Sequence, residues 1–329
     1  MNRLFDKTFW GLTAGLVFLF LLNFFLEEWM RTIGLQTLSR GLVAIGLLVL
    51  WRTGLISFGH ALFFGFGAYT VALMQIGGVN DVFLLLFCGT AVAGLLALVL
   101  GFLLRQYRAI FFALLNMAFS MILYGVLAKV ESLGSTDGIG INQVTFIGFK
   151  PEGETYRMSL FVLAIVFAYI SAVAAHWYLK STLGMMTMAV RENEIRVEYL
   201  GYSAEKAIHA KYIISGILAG LGGVIMAFTV GHVDPDSMVY WPVSGDFVFI
   251  TILSGTGNVG ATFIGALVYE LLRTYAFEFA PEIWQLILGG ALLLIIMFLP
   301  DGLWSIRSEW KNRRAVAAAA REEQTKIPE

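Results

Sequence analysis

The feature that most constrains this chain is a succession of apolar runs, most of them close to twenty residues long, separated by short polar breaks. A membrane-spanning helix needs about 20 apolar residues. Hydrocarbon offers no partner to a free backbone N–H or C=O, so such runs must be helical. Ten are read, at about 10–26, 35–50, 54–74, 82–104, 109–128, 158–179, 207–230, 242–254, 261–277 and 283–299. The chain is 58% hydrophobic and 14% charged, whereas soluble domains are about 45–50% apolar. The expected fold class is an all-α polytopic integral membrane protein with about ten transmembrane helices. One membrane domain is expected over 1–305 and a polar tail over 306–329. The first run lacks a small-residue cleavage site, so it is expected to be a retained span.

Several function classes fall away. The net charge of −1 gives no polyelectrolyte character, so nucleic acid is not an expected partner. Cys88 is the only cysteine and cannot form an intrachain disulfide. His60, His176, His209 and His232 fall in separate segments without metal-ligand spacing. No nucleophile–base pair and no GxxxxGK[ST] phosphate loop is present. The expectation is a protein that is not an enzyme, holds no cofactor or metal, and carries no ATP site of its own.

The stretch Gly184–Lys211 is the one long charged island, with eight charges in 28 residues. Hydrocarbon cannot solvate such a cluster. Ala189, Val190, Ile195, Val197 and Leu200 interleave with Arg191, Glu192, Glu194, Arg196 and Glu198. That pattern predicts a short amphipathic helix between two spans, which Gly201 can end. Such a helix is either a docking surface or a solvated loop.

Polar groups inside the apolar runs are the second signal. Ser57 and His60, with Gly59 between them, sit in the third run and are expected to face protein or water. Asn116 and Ser120 are four residues apart and share a helix face. They can bind a polar substrate or join two helices. Asp246 and Glu270 lie at apolar depth, and Glu270 is expected to pair with Arg273 three residues on. Outside the spans, about 129–157 reads as a polar loop whose Thr136, Asp137 and Gly138 form a turn or a gate.

Basic residues set the orientation. With the N-terminus inside, sixteen of the 22 Lys and Arg fall on the inner segments, six of them in the tail. Arg31, Arg40, Lys129, Lys150, Arg157 and Arg273 fall outside. Both termini are therefore expected in the cytoplasm, with the island inside and the 129–157 loop outside.

In order and spacing, GLISFGHALFFGFGAY, NMAFSMI, TDGIGI, AVRENEIRVEYLGY followed by Lys211, ISGILAGLGG, LSGTGNVGATFIGA and LPDGL resemble the LivM-type permeases of ABC importers for branched-chain amino acids. The resemblance covers about 35–305. It implies pairing with a second, LivH-like permease, two cytoplasmic ATPases, a periplasmic binding protein and the lipid of a bacterial inner membrane. It also implies that the island is the segment that docks on an ATPase, with Arg191, Glu192, Asn193, Glu194 and Gly201 at the matching positions and Lys211 just beyond. Ser57, Gly59, His60, Asn116 and Ser120 are the expected translocation path. Ser-Thr stands before Asp137 where the family commonly has Gly-Gly. NEIRVEYLGY also resembles the urea-type branch, which keeps urea, short amides and other small carboxylates open as substrates. A stand-alone secondary transporter or channel using His60, Asp246 or Glu270 as ion or proton sites is the competing class.

Overall fold

The computed structural model describes residues 6–299 and 302–305. The first half contains α1 (Lys7–Leu22), α2 (Glu28–Trp51), α3 (His60–Ile76), α4 (Val82–Leu104) and α5 (Ala109–Lys129). A two-residue strand β1 (Ile139–Gly140) precedes α6 (Glu154–Lys180), α7 (Thr182–Glu192) and α8 (Glu194–Tyr199). Then follow α9 (Ala204–Val230), β2 (His232–Val233), α10 (Pro235–Met238), α11 (Trp241–Ser254), α12 (Ala261–Phe279) and α13 (Trp284–Phe298). A helix thus stands at each of the ten apolar runs. Six are long and apolar enough to cross a membrane: α2, α4, α5, α6, α9 and the α10–α11 stretch. Helices α1, α3 and α13 are apolar but shorter, and α12 carries Glu270, Arg273 and Glu278.

Local chemistry sets the helix starts. Asp6, Asp81, Ser181, Asn193, Ser203 and Asp234 each accept a backbone N–H of the first turn of α1, α4, α7, α8, α9 and α10. These are the residue types that satisfy the orphan donors of a helix start.

The core is built around α9, which packs on α2, α3 and α4. Glycines make the approach close enough for backbone to touch backbone. A Cβ at Gly223 would lie 1.9 Å from Phe64 O, and one at Gly67 would lie 2.2 Å from Gly220 O. With little hydrophobic drive between helices in lipid, such contacts supply the packing energy. Helix α1 has no buried residue and leans on α6.

The loops sort to two ends of the bundle. At one end Asp6 meets His176 and Lys180, Asn258 bonds Thr8, Arg52 bonds Thr256 O, and Arg105 bridges Glu205. At the other end Arg31 bridges Glu154 and Arg157 bridges Glu28. There Gln75 clamps the backbone of Asn142, and β1 pairs antiparallel with β2.

Four expectations need correction. The third run is not helical throughout: helix α3 begins only at His60, and 54–59 is an irregular entry segment. The island is two helices rather than one, because Asn193 turns extended (φ −159°, ψ 98°) between α7 and α8. Arg40 belongs to no outer loop; it lies midway along α2, 8% exposed. Glu270 pairs with that Arg40 and not with Arg273. Packing across helices outcompetes the i,i+3 contact, because a buried guanidinium must find a carboxylate. The tail over 306–329 lies outside the described residues.

Candidate functional site

Helices α7 and α8 form a platform at the end of the bundle that carries Lys180, Arg105 and Arg108. Their inner face is apolar: Val190 of α7 and Val197 of α8 pack with Ala204 at the start of α9, and Met186 packs against them. Their outer face is apolar as well, with Met185, Met188, Ile195, Tyr199 and Leu200 each at least half exposed. Gly201 (φ +85°) turns the chain after α8. Arg191, Glu192 and Asn193 are exposed at the joint. Glu194 is held differently: Arg108 Nε donates to its Oε2 at 2.8 Å and Arg108 Nη2 to its Oε1 at 2.5 Å. The Arg108 hydrogen bonds outweigh burial and hold the Glu194 carboxyl below the usual carboxylate range. This fork pins α8 to the α4–α5 turn. Lys211 is fully buried within α9, so it stands off the exposed platform.

The polar residues of the third and fifth runs meet in one seam between α3, α5, α9 and α11. His60 Nε2 lies 2.5 Å from Ser215 Oγ. Asn116 accepts from the Tyr212 hydroxyl and donates to Phe112 O at 2.7 Å. Ser120 donates to Val239 O at 2.7 Å, and Ser57 Oγ accepts from Gly59 N at 3.3 Å. Ser244 Oγ accepts from Ala61 N at 2.9 Å, so α11 caps the start of α3. Gly59 is required here, since a Cβ would lie 2.4 Å from Asn116 O. Ser57, His60, Asn116 and Ser120 are all at most 1% exposed, and only His60 Nδ1 among these seam groups is left without a hydrogen bond.

At the opposite end Thr136 and Asp137 are exposed on a single 3₁₀ turn, Ser135–Asp137. Gly138 (φ +74°) lets this turn press against Val233 O and His232.

A second polar cluster, larger than the sequence reading foresaw, lies at mid-depth. Arg40 Nε is 2.7 Å from Glu270 Oε1, and Arg40 Nη1 is 4.0 Å from Asp246 Oδ2. The Arg40 guanidinium also lies over the Tyr269 ring, 5.5 Å from its centroid. The signal for Arg40 was present, since an arginine inside an apolar run marks a paired or functional group. Ser215 and Tyr212 gave no comparable signal, because a hydroxyl in a run reads equally as helix packing. Among the described residues no group of His, Cys, Asp and Glu is arranged to hold a metal.

No solved structure matches the chain. The chain is 28% identical over 302 residues to the high-affinity branched-chain amino acid transport system permease protein LivM of Escherichia coli K12, covering 83% of this chain and 69% of the relative. It is 24% identical over 300 residues to a probable branched-chain amino acid transport permease protein LivH of Methanocaldococcus jannaschii, covering 85% and 92%. A shorter match, 32% over 129 residues, is to the nucleoside ABC transporter permease protein NupB of Lactococcus lactis, covering 38% and 33%. The family model described as branched-chain amino acid transport system / permease component matches residues 30–297. With that match over most of its length, and with apolar helices able to cross a bilayer several times, the chain is a multi-pass membrane protein that belongs to the branched-chain amino acid transport permease family, of LivM type.

Proposed function

We propose that this chain is one of two permease subunits of an ABC importer that moves branched-chain or related amino acids across a bacterial inner membrane. In this reading a LivH-like subunit is its partner, a periplasmic binding protein delivers substrate, and two cytoplasmic ATPases bind below, one of them docking on α7–α8. All ten longer helices cross, with both termini inside. The alternation of loops between the two ends of the bundle supports that count. So does the charge: among the described basic residues at helix ends and loops, Lys7, Arg52, Arg105, Arg108, Lys180, Arg191, Arg196 and Lys206 fall at the inner end, against Arg31, Lys129, Lys150 and Arg157 at the outer end.

The observation that carries the reading is the exposed apolar face of α7–α8. A patch of this kind in water marks an interaction surface, and it lies on the basic, inner end. A secondary carrier has no use for such a platform. Arg191, Glu192 and Asn193 supply its polar rim. The buried seam of Ser57, Gly59, His60, Asn116 and Ser120 is the part of the bundle that the transport cycle opens, and Thr136–Gly138 gates the outer end. Amide or nucleoside substrates are the alternative, and the NupB match is the observation that favours the latter.

The test is the pair Ile195→Ser and Leu200→Ser in the assembled, reconstituted importer. These residues are 65% and 72% exposed, so the membrane domain should fold normally. Truncating a central interface anchor commonly costs over about 1 kcal/mol. The ATPases should dissociate or lose substrate-stimulated hydrolysis, and uptake should fail. Full ATPase retention with full stimulation would return the platform to the status of a solvated loop.

A further inference from the structure

Helix α1 stands at the edge of the bundle, and a cavity of about 530 Å³ runs along it. Leu16 of α1, Leu38 of α2, Ile165 of α6 and Phe263 of α12 are among its walls. The volume is in the range of small-molecule sites. Small residues keep the space open. Gly11 and Gly15 lie one turn apart on α1, with no atom within 4 Å of either missing Cβ. Ala168 and Ala172 line it at the same spacing on α6. Helix α1 therefore touches α6 without closing on it, and none of its residues is buried.

The cavity is polar at one end only. Lys7, Thr8 and Asn258 line that mouth, and Thr8 Oγ accepts from Asn258 Nδ2 at 3.2 Å. Trp304 lines it too, over the 255–260 break, and tryptophan favours the headgroup level of a bilayer. Lys7 is exposed, and among the described residues its side chain makes no hydrogen bond or ion pair. The adjacent carboxylate, Asp6, is engaged by His176 and Lys180. Arg52 adds a further cation at this end and bonds a carbonyl, Thr256 O, rather than a carboxylate. Deeper in, the Tyr169 hydroxyl is bonded to Thr13 Oγ1 at 3.0 Å, so the remaining wall asks for no polar partner. The lining runs from Lys7 to Leu19, about 18 Å at the rise of an α-helix. One leaflet of the hydrocarbon core is about 15 Å deep.

We propose that this groove seats one anionic phospholipid, with its phosphate at Lys7 and Thr8 and an acyl chain along Gly11 and Gly15. The occupant must be apolar over one leaflet's depth and carry a negative, hydrogen-bonding group at one end. A basic mouth between helices supplies that complement to an anionic headgroup. Water does not fill an apolar cavity. A helix with its side chains is about 10–12 Å wide, too wide for a slot opened by two missing side chains. An acyl chain is a single file of methylenes and fits. The lipid then completes the packing of α1 on the bundle, which the chain's own side chains leave unfinished.

The experiment places the full chain, in its assembled complex, in nanodiscs of mixed phosphatidylcholine and phosphatidylglycerol. Native mass spectrometry then counts the lipids that stay bound on release. Wild type should retain phosphatidylglycerol in preference to phosphatidylcholine, and phosphatidylglycerol with a photoreactive acyl chain should crosslink to α1 and α6. Lys7→Gln, at an exposed position, should weaken the headgroup preference about fivefold, the worth of one lysine at an anionic surface, while the chain still crosslinks. The Gly11→Leu, Gly15→Leu pair fills the slot and should lose both the retained lipid and the crosslink at unchanged complex yield. Equal retention of the two lipids by wild type, or a preference untouched by Lys7→Gln, overturns the anionic site. So does a leucine pair that retains and crosslinks lipid as wild type does. Release of a second permease subunit by the leucine pair would make the groove a subunit contact. A crosslink from a Gly11→Cys variant to the tail over 306–329 would make it the tail's seat. Either result overturns the lipid, and if the leucine pair fails to fold, Lys7→Gln decides.

Discussion

Removing the Glu270 carboxylate tests whether the mid-membrane ion pair holds the bundle together. Glu270 is 1% exposed and Arg40 8%, and their contact is 2.7 Å. In Glu270→Gln the guanidinium keeps its charge, while its closest remaining carboxylate oxygen is 4.0 Å away. Breaking a buried pair on one side costs about 3–5 kcal/mol, whereas replacing both partners with apolar residues of similar volume is often neutral. In a membrane the unfolded reference also finds partners, which places the expected loss near the low end, about 3 kcal/mol. Thermal unfolding in detergent, followed by tryptophan fluorescence and by the monodisperse fraction after heating, reads this out. Glu270→Gln should be markedly less stable. The Arg40→Met, Glu270→Met pair should return to within about 1 kcal/mol of the parent. A Glu270→Gln protein within about 1 kcal/mol of wild type would refute the reasoning, since the pair would then contribute nothing net.

Two further outcomes follow from the geometry. Gly223→Ala should disrupt the bundle, because its Cβ meets the unyielding backbone Phe64 O at 1.9 Å and overpacking costs about 1–3 kcal/mol; Gly125→Ala on α5, with nothing within 4 Å, should be neutral or slightly stabilising, and equal stability of the two variants would contradict the close-packing account. The depressed Glu194 carboxyl contributes docking of α8 that is fully present above the ordinary glutamate range and is lost as pH falls through the lowered folded value. A spin label at Glu198 should therefore be immobile at neutral pH, mobile in strong acid, and mobile at both in Glu194→Gln; immobility in that variant at neutral pH would show that the Arg108 fork does not hold the helix.

The sequence by itself determined the membrane class, the position of each of the ten longer helices and the family. Hydrophobic length reports the first two directly, because hydrocarbon permits only internally bonded helices, while the family rests on the order and spacing of the motifs. It also located the island, since charge cannot lie in lipid. Its reading of pairing was poorer. Glu270 and Arg273 are neighbours on one helix turn, but only the packing of α12 on α2 brings Arg40 to Glu270. In the same way Glu194 reads as a free rim charge until the α4–α5 turn supplies Arg108. Lys211 reads as part of the island, while its position on α9 buries it. The break of the third run at 54–59 follows from Ser244 and Asn116 meeting the start of α3, contacts between segments more than fifty residues apart. Helical periodicity carries information over one or two turns. Which helix faces which, and hence which buried charge finds which partner, is decided by side-chain volumes and glycine approaches across the whole bundle, and only the tertiary structure expresses them.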